Sequence, residues 1–290
     1  MPDLAIENPT VKMSRGSFDR FAEFITRELG IKIEPSKISM IQSRLARRVR
    51  ELGLESIDEY CDHFFGAESD ELERVHFVNA VTTNKTDFFR EVEHFNHLTK
   101  KVLPTIERQI ADRAGERNLK LWSAACSSGE EAYTMAMVLS EYALTHAPLT
   151  FQILATDVST KVLEMGREGI YSKSQIAPVP DVMRRKYLRM GMGKHHSLVR
   201  VVPALRQHVS FCYLNFMDAS YGIREMFDII FCRNVLIYFD RPTQEAVINK
   251  LCRHLHPGGF LFISHSESLA GLNVPLEALG AACYQKRAKE

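Results

Sequence analysis

The hydrophobic pattern divides the chain into two parts with different periods. Up to about residue 80, apolar residues recur every three or four positions, the period of an amphipathic helix. In SFDRFAEFITRELG, Ser17–Gly30, positions 18, 21, 24, 25 and 29 share one face between a Ser cap and a Gly stop. Pro35-Ser36 then opens KISMIQSRLARRVRELG, with a stripe at 38, 41, 45, 49 and 52. Further helices are predicted over Ile57–Phe65 and from about Asp70 to Ala80, and no strand signal precedes residue 119. The first part therefore reads as a small all-α module.

From Leu119 short apolar runs alternate with helical stripes. LKLWSAA, LTFQILATD, MFDIIFCRN and FLFISHSESL read as strands. EEAYTMAMVLSEYAL, STKVLEMGREG (capped by Ser159) and RPTQEAVINKLCRHL read as helices, and Pro257–Gly259 as a helix stop and tight turn. Repeated βα units predict an α/β fold with a doubly wound, mostly parallel sheet and helices on both faces. The rhythm breaks between about Met183 and Phe211, where Gly191 and Gly193 mark a turn and SLVRVV alternates, predicting a small β-rich insertion.

Composition narrows the function classes. A chain of 290 residues with formal net charge +1 carries no global field toward nucleic acid or membrane. Its longest apolar stretches are strand-length, predicting no membrane span, and the N-terminal MPDLAIENPTVK lacks the character of a signal peptide. The six cysteines show no CxxC pairing, which predicts reduced thiols in a cytoplasmic protein. His94 and His97 could share a helix face, and His195-His196 and His254/His256 are close. No Cys or carboxylate is evident at ligand spacing, so no metal is expected.

The candidate chemistry starts in the run Lys120–Leu144, where a strand, a loop of small residues and an acidic helix start follow one another. Helix starts favour anions; Glu130 and Glu131 there oppose a phosphate and favour hydroxyls or a cation. Asp157 ends the next strand, where an acid can accept both hydroxyls of a ribose. A strand-end Asp is as often a helix cap as a ligand contact, but together with Glu130 and Glu131 it favours an adenosyl-type ligand, and the lack of GxGxxG argues against nicotinamide or flavin dinucleotides. In DIIFCRNVLIYFD, Arg233 stands at the end of a buried strand, where a guanidinium usually meets a carboxylate, and Tyr238 follows five residues on. In TTNKTDFFRE, Phe88-Phe89 can anchor a linker that leaves Asn84, Thr86 and Arg90 free.

NKTDFFRE, the W-S-A-A-x-S-S-G-E-E run, ATD, CRNVLIYFD and PGG-x-L-F-x-x-H-S-E stand in an order and spacing that resemble the CheR family of chemotaxis receptor methyltransferases, from about Ser17 to Tyr284. The resemblance implies a class I, Rossmann-like methyltransferase fold. An N-terminal all-α receptor-recognition domain would cover 14–83, and a methyltransferase domain 84–290 with a β-subdomain at 186–212. It implies transfer of a methyl group from S-adenosylmethionine to glutamates of chemoreceptors, releasing S-adenosylhomocysteine. Asn84, Thr86, Arg90, Glu131, Asp157, Asn215, Phe216, Cys232 and Arg233 would contact the cofactor, with Glu131 favoured over Glu130. Arg90, Arg233 and Tyr238 would serve the reaction. In some members the β-subdomain docks a short C-terminal receptor peptide. The protein would act in the cytoplasm, recruited to receptor arrays without inserting into the membrane.

Arg44, Arg47, Arg48 and Arg50 crowd one short helical segment. A solvated face, an RNA contact and a contact to the Glu-rich methylation helices of receptors are the competing readings, and acidic helices suit the arginines best. Two rival classes remain at this level: a methyltransferase acting on RNA or a small molecule, and a fold kept as a signalling adaptor. Salt-sensitive RNA binding would mark the first, and cofactor binding without turnover the second.

Overall fold

The computed structural model describes residues 12–66, 70–111, 118–146, 149–280 and 282–287; most of the N-terminal stretch read for a signal peptide lies outside them. The chain separates into two compact units, Met1–Thr83 and Asn84–Glu290.

Among the described residues, the first unit holds four α-helices, α1 (Arg15–Leu29), α2 (Ile38–Glu51), α3 (Ile57–Phe65) and α4 (Glu71–Val81). The first helix starts earlier than its apolar stripe. Ser14, not Ser17, is the cap, its hydroxyl accepting from the Ser17 N–H, and Gly30 closes the helix in a left-handed conformation. The stripes meet in an aromatic core in which Phe77 lies 5.1 Å from Phe21 and 4.6 Å from Phe64, ring centre to ring centre. Beside it Arg48 donates to Glu73, which also accepts from the Tyr60 hydroxyl at 2.6 Å. Burial pushes the Glu73 carboxyl up, but Arg48 and Tyr60 outweigh it and hold it below its ordinary value.

The second unit opens with α5 (Val92–His97), which runs through a π-helical turn at Leu98–Val102 into α6 (Leu103–Ala111). Then follow β1 (Asn118–Ala124), α7 (Glu130–Ala143), β2 (Thr150–Asp157), α8 (Thr160–Glu168), β3 (Ile170–Ser172), α9 (Asp181–Tyr187), β4 (Leu188–Met190) and β5 (Leu198–Val201). The unit ends with α10 (Pro203–Arg206), β6 (Val209–Tyr213), β7 (Phe227–Phe231), α11 (Arg241–Arg253), β8 (Leu255–Phe262), β9 (Leu276–Gly280) and β10 (Cys283–Lys286). The main sheet has the order β6-β2-β1-β7-β8-β10-β9. Strands β6 through β8 are parallel, and β10 runs antiparallel to β8 and β9. Leu121, Trp122, Ile153, Ile229, Phe231 and Phe262 are all buried, the mark of a sheet covered on both faces. This is the doubly wound sheet that the βα alternation predicts. After β1 the chain winds outward through β2 to β6, then returns to the other side of β1 with β7. The strand order therefore reverses at β1, the place where such sheets leave a crevice at their carboxyl ends.

Two sequence expectations change. Strands β3, β5 and β4 make a small antiparallel sheet whose first strand comes from 170–172, ahead of the expected 186–212 window. Residues 209–213 instead pair in parallel with β2, from Ile153 opposite Val209 to Asp157 opposite Tyr213. A five-residue alternation cannot say which sheet a strand joins. Pro257–Gly259 is not a turn ahead of a strand; it lies inside β8 as a bulge. Leu255 pairs with Phe227 and Phe260 with Ile229, so the residues between loop out of register. A side chain at Gly259 would come within 2.9 Å of the His256 carbonyl oxygen and 3.0 Å of that of Asp228, so the bulge needs glycine there.

Candidate active site

The carboxyl ends of β1, β2 and β7, together with the linker 84–91, hold most of the residues singled out by their chemistry. The β1 loop turns sharply: Ala125, Ser127 and Gly129 all have positive φ, and Gly129 opens α7. A Cβ on Gly129 would lie 2.9 Å from the Phe211 ring, so only glycine allows the loop to pass so close to β6. The turn separates the two glutamates. Glu131 faces the strand ends, accepting from Ser123 Oγ at 2.7 Å and Arg233 Nη1 at 3.0 Å. Glu130 turns the other way and accepts from Ser128 Oγ at 2.7 Å and Gln175 Nε2 at 3.3 Å; burial pushes its carboxyl up.

Asp157 is buried at the end of β2. Its two oxygens each accept one backbone N–H at 2.9 Å, from Ser127 on one side and Ser159 on the other. Burial raises its pKa while these N–H groups favour the charged form. A carboxylate oxygen has two lone pairs, so each can still accept a hydroxyl. Leu214 N donates to the Asp157 carbonyl at 3.0 Å and brings Asn215 and Phe216 beside it; Asn215 Oδ1 accepts from Met217 N at 3.0 Å. Phe216 is buried between Tyr221 and Phe239, and Lys250 donates to its carbonyl at 2.7 Å. Cys232 is fully buried, and its thiol is pushed well up by burial.

Arg233 is more constrained than the sequence suggested. With a side chain only 2% exposed, it donates to Glu131 at 3.0 Å and to the Arg90 carbonyl at 2.6 Å, and it faces Glu91 at 3.4 Å. Its charge therefore serves two carboxylates of the chain itself. Arg90 is partly exposed and Nη1 reaches the Lys85 carbonyl at 3.1 Å. It stands between two left-handed residues, Phe89 and Glu91, each with φ 54°. Such backbone persists only where its surroundings hold it. Here the Phe89 N–H donates to Thr134 Oγ1 at 3.1 Å, Phe88 packs edge-on to Tyr171, and the Asn84 carbonyl accepts from Ser127 Oγ at 2.8 Å. Thr86 is half-buried in the same linker, and Tyr238 is half-buried on a 3₁₀ turn, Leu236–Tyr238.

Sequence reasoning gave no role to Glu91. It accepts from Ser264 Oγ at 2.7 Å, His265 N at 3.1 Å and Asn234 Nδ2 at 3.2 Å, joining the linker to the ends of β7 and β8. Its presence in NKTDFFRE was the available signal; its partners lie 143 and 174 positions away. Glu91 also corrects the histidine reading, because with His94 and His265 it forms a set whose ligand atoms lie within 4.8 Å of one another. Glu91 Oε2 is 3.4 Å from both His94 Nδ1 and Arg233 Nη2, so a divalent ion there would meet a buried guanidinium.

Of the four arginines crowded along α2, Arg44 donates to the Val81 carbonyl and to Thr83 Oγ1, and Arg48 is paired with Glu73. Arg47 forms an exposed pair with Glu51 at 2.7 Å, and Arg50 is exposed. The segment thus divides into two structural arginines and two solvent-facing ones.

The family description "CheR methyltransferase, SAM binding domain" matches residues 84–284, and "CheR methyltransferase, all-alpha domain" matches 16–82. The chain is 37% identical over 272 residues to a chemotaxis protein methyltransferase of Salmonella typhimurium, covering 94% of this chain and 90% of that one. It is 35% identical over 281 residues to a chemotaxis protein methyltransferase of Borreliella burgdorferi, covering 96% and 97%. A chemotaxis protein methyltransferase 2 of Pseudomonas aeruginosa is 36% identical over 283 residues, covering 98% and 97%.

Proposed function

Because the chain belongs to the CheR methyltransferase family, with an S-adenosylmethionine-binding domain over 84–284, we propose that it methylates glutamate side chains of membrane chemoreceptors. The products would be glutamate methyl esters and S-adenosylhomocysteine. The observation that carries this reading is the grouping of Glu131, Asp157 and Arg233 at the carboxyl ends of β1, β2 and β7. Acceptor groups there suit a nucleoside with a cationic tail and oppose a phosphate.

S-adenosylmethionine supplies an electrophilic methyl on a sulfonium. Asp157 would hold the ribose hydroxyls through its remaining lone pairs, and Asn215 and Phe216 would bind the adenine. Asn84, Thr86, Arg90 and Glu131 complete the cofactor site, with Cys232 and Arg233 forming its floor. The acceptor glutamate is already ionised at neutral pH, so no general base is required. The protein's work is positioning and removal of water, and orientation alone can supply about 7–11 kcal/mol. Arg233 keeps Glu131 and the Arg90 backbone in place, and the Arg90 side chain and the Tyr238 hydroxyl would orient the reacting groups. Arg47 and Arg50, with Arg44 and Arg48 beside them, mark the surface for acidic methylation helices. The small β3-β5-β4 sheet is the surface for a receptor C-terminal peptide, and the protein works from the cytoplasm at receptor arrays. No helix among the described residues is long and apolar enough to cross a membrane.

The test is transfer of tritiated methyl from S-adenosylmethionine to receptor-bearing membranes, read as methanol released by base. Glutamate esters hydrolyse under base and N-methyl groups do not. Label that is absent or base-stable would reject the reading.

A further inference from the structure

We propose that Glu267 is a positioning residue for methyl transfer: its half-buried carboxylate folds the segment Asn234–Tyr238 and thereby sets Tyr238 relative to Arg233. The inference rests on the reading above, and it assigns a role to the glutamate of the H-S-E motif, which the cofactor site leaves unused. Glu267 comes from the segment after β8, yet most of what it holds comes after β7. Its Oε2 accepts from Asn234 N at 3.1 Å and Ser264 N at 2.8 Å, and its Oε1 accepts from Leu236 N at 2.8 Å. Its own N–H donates to the Ser264 carbonyl at 3.0 Å, so the carboxylate is presented from a closed turn.

The backbone of the held segment fits this arrangement. Asn234 is left-handed, with φ 58°, which lets nearby N–H groups turn toward one acceptor as in an anion nest. Between Asn234 and Tyr238 only Leu236 is buried, and Ile237 is 55% exposed. Packing therefore gives the segment little support, and hydrogen bonds must define it. Asn234 Nδ2 also donates to Ser264 Oγ at 2.7 Å and Glu91 Oε1 at 3.2 Å, tying the same turn to the residue after Arg90. Tyr238 follows two residues beyond the Leu236 N–H, its own N–H donating to the Val235 carbonyl at 3.1 Å. A carboxylate alone among side chains offers two acceptor oxygens with no donor. Glutamine at 267 would put an NH₂ against a backbone N–H and leave donors unpaired.

The expected result for Glu267→Gln is a kcat for methyl transfer lowered by about 10- to 100-fold, the effect of an unsatisfied buried donor felt at the reacting geometry. Calorimetric affinity for S-adenosylmethionine should stay within about threefold, because Asp157 keeps its own partners. Glu267→Asp, which keeps both oxygens, should recover part of the rate. In a double-mutant cycle, Glu267→Gln should slow a Tyr238→Phe protein by less than about threefold, because the group it positions is gone. Unchanged turnover in Glu267→Gln, losses that multiply in the double variant, or cofactor affinity falling as far as kcat would overturn the proposal. If Glu267→Gln melts below the assay temperature, Glu267→Asp carries the same cycle. Failure of the methyl-transfer reading shows separately, as no base-labile label from the unaltered protein.

Discussion

Replacing Glu91 by glutamine tests how the linker is joined to the sheet. Burial by itself raises the pKa of this carboxyl. The Ser264 hydroxyl, the Arg233 charge, the His265 N–H and the Asn234 amide outweigh burial and bring it from 4.5 to about 2. At about 1.4 kcal/mol for each tenfold change in acid constant, that depression corresponds to about 3 kcal/mol of folding stability at neutral pH. The side chain is 18% exposed, so solvent screening removes only a minor part. Glutamine keeps the shape but not the charge facing Arg233, and the expected loss is about 2–3 kcal/mol at pH 7. The assay is urea unfolding followed by fluorescence of Trp122, the single tryptophan, which is fully buried in β1 and so reports on the second unit. Because the folded pKa is depressed, the contribution is complete above the unfolded value of 4.5 and is lost as pH falls toward about 2. The stability gap between the two proteins should therefore be widest at neutral pH and shrink as the solution is acidified below about 4.5. Equal stability at pH 7, or a gap that stays constant down to about pH 3, would refute the argument.

Asp157→Ala should weaken S-adenosylmethionine binding by at least about tenfold by calorimetry, and an unaltered affinity would refute the ribose assignment. Reversing Arg47 and Arg50 to Glu should slow receptor methylation while leaving cofactor affinity unchanged; methylation at the unaltered rate would leave that face merely solvated. Arg48 is unsuitable for that experiment because it is paired with buried Glu73. Glu73→Gln should instead destabilise the first unit by about 2–4 kcal/mol in thermal unfolding followed by circular dichroism, and a loss below about 0.5 kcal/mol would contradict its role. Gly166→Ala would put a Cβ 2.4 Å from the Phe211 ring, and the expected cost is about 1–3 kcal/mol by Trp122-monitored unfolding. A neutral substitution there would show that the Phe211 ring can move away.

The helical first unit, the βα alternation and the family are all legible along the chain. Each is written in local periodicity or in short motifs whose residues stand close in the chain. Residues 18, 21, 24, 25 and 29 identify a helix whatever they pack against, and Asp157 reads as a strand-end acid from ILATD alone. Tertiary structure decided which groups meet. Glu130 and Glu131 are adjacent in sequence, yet one turns to Gln175 and the other to Arg233, because the β1 loop enters α7 through left-handed backbone. Arg44 and Arg48 looked like Arg47 and Arg50 until α4 brought the Val81 carbonyl and Glu73 beside them. Glu91 and Glu267 acquire their roles only where separate strand ends converge. Their partners are mostly backbone N–H groups and side chains of distant segments, and no spacing along a chain encodes a hydrogen bond across 174 residues.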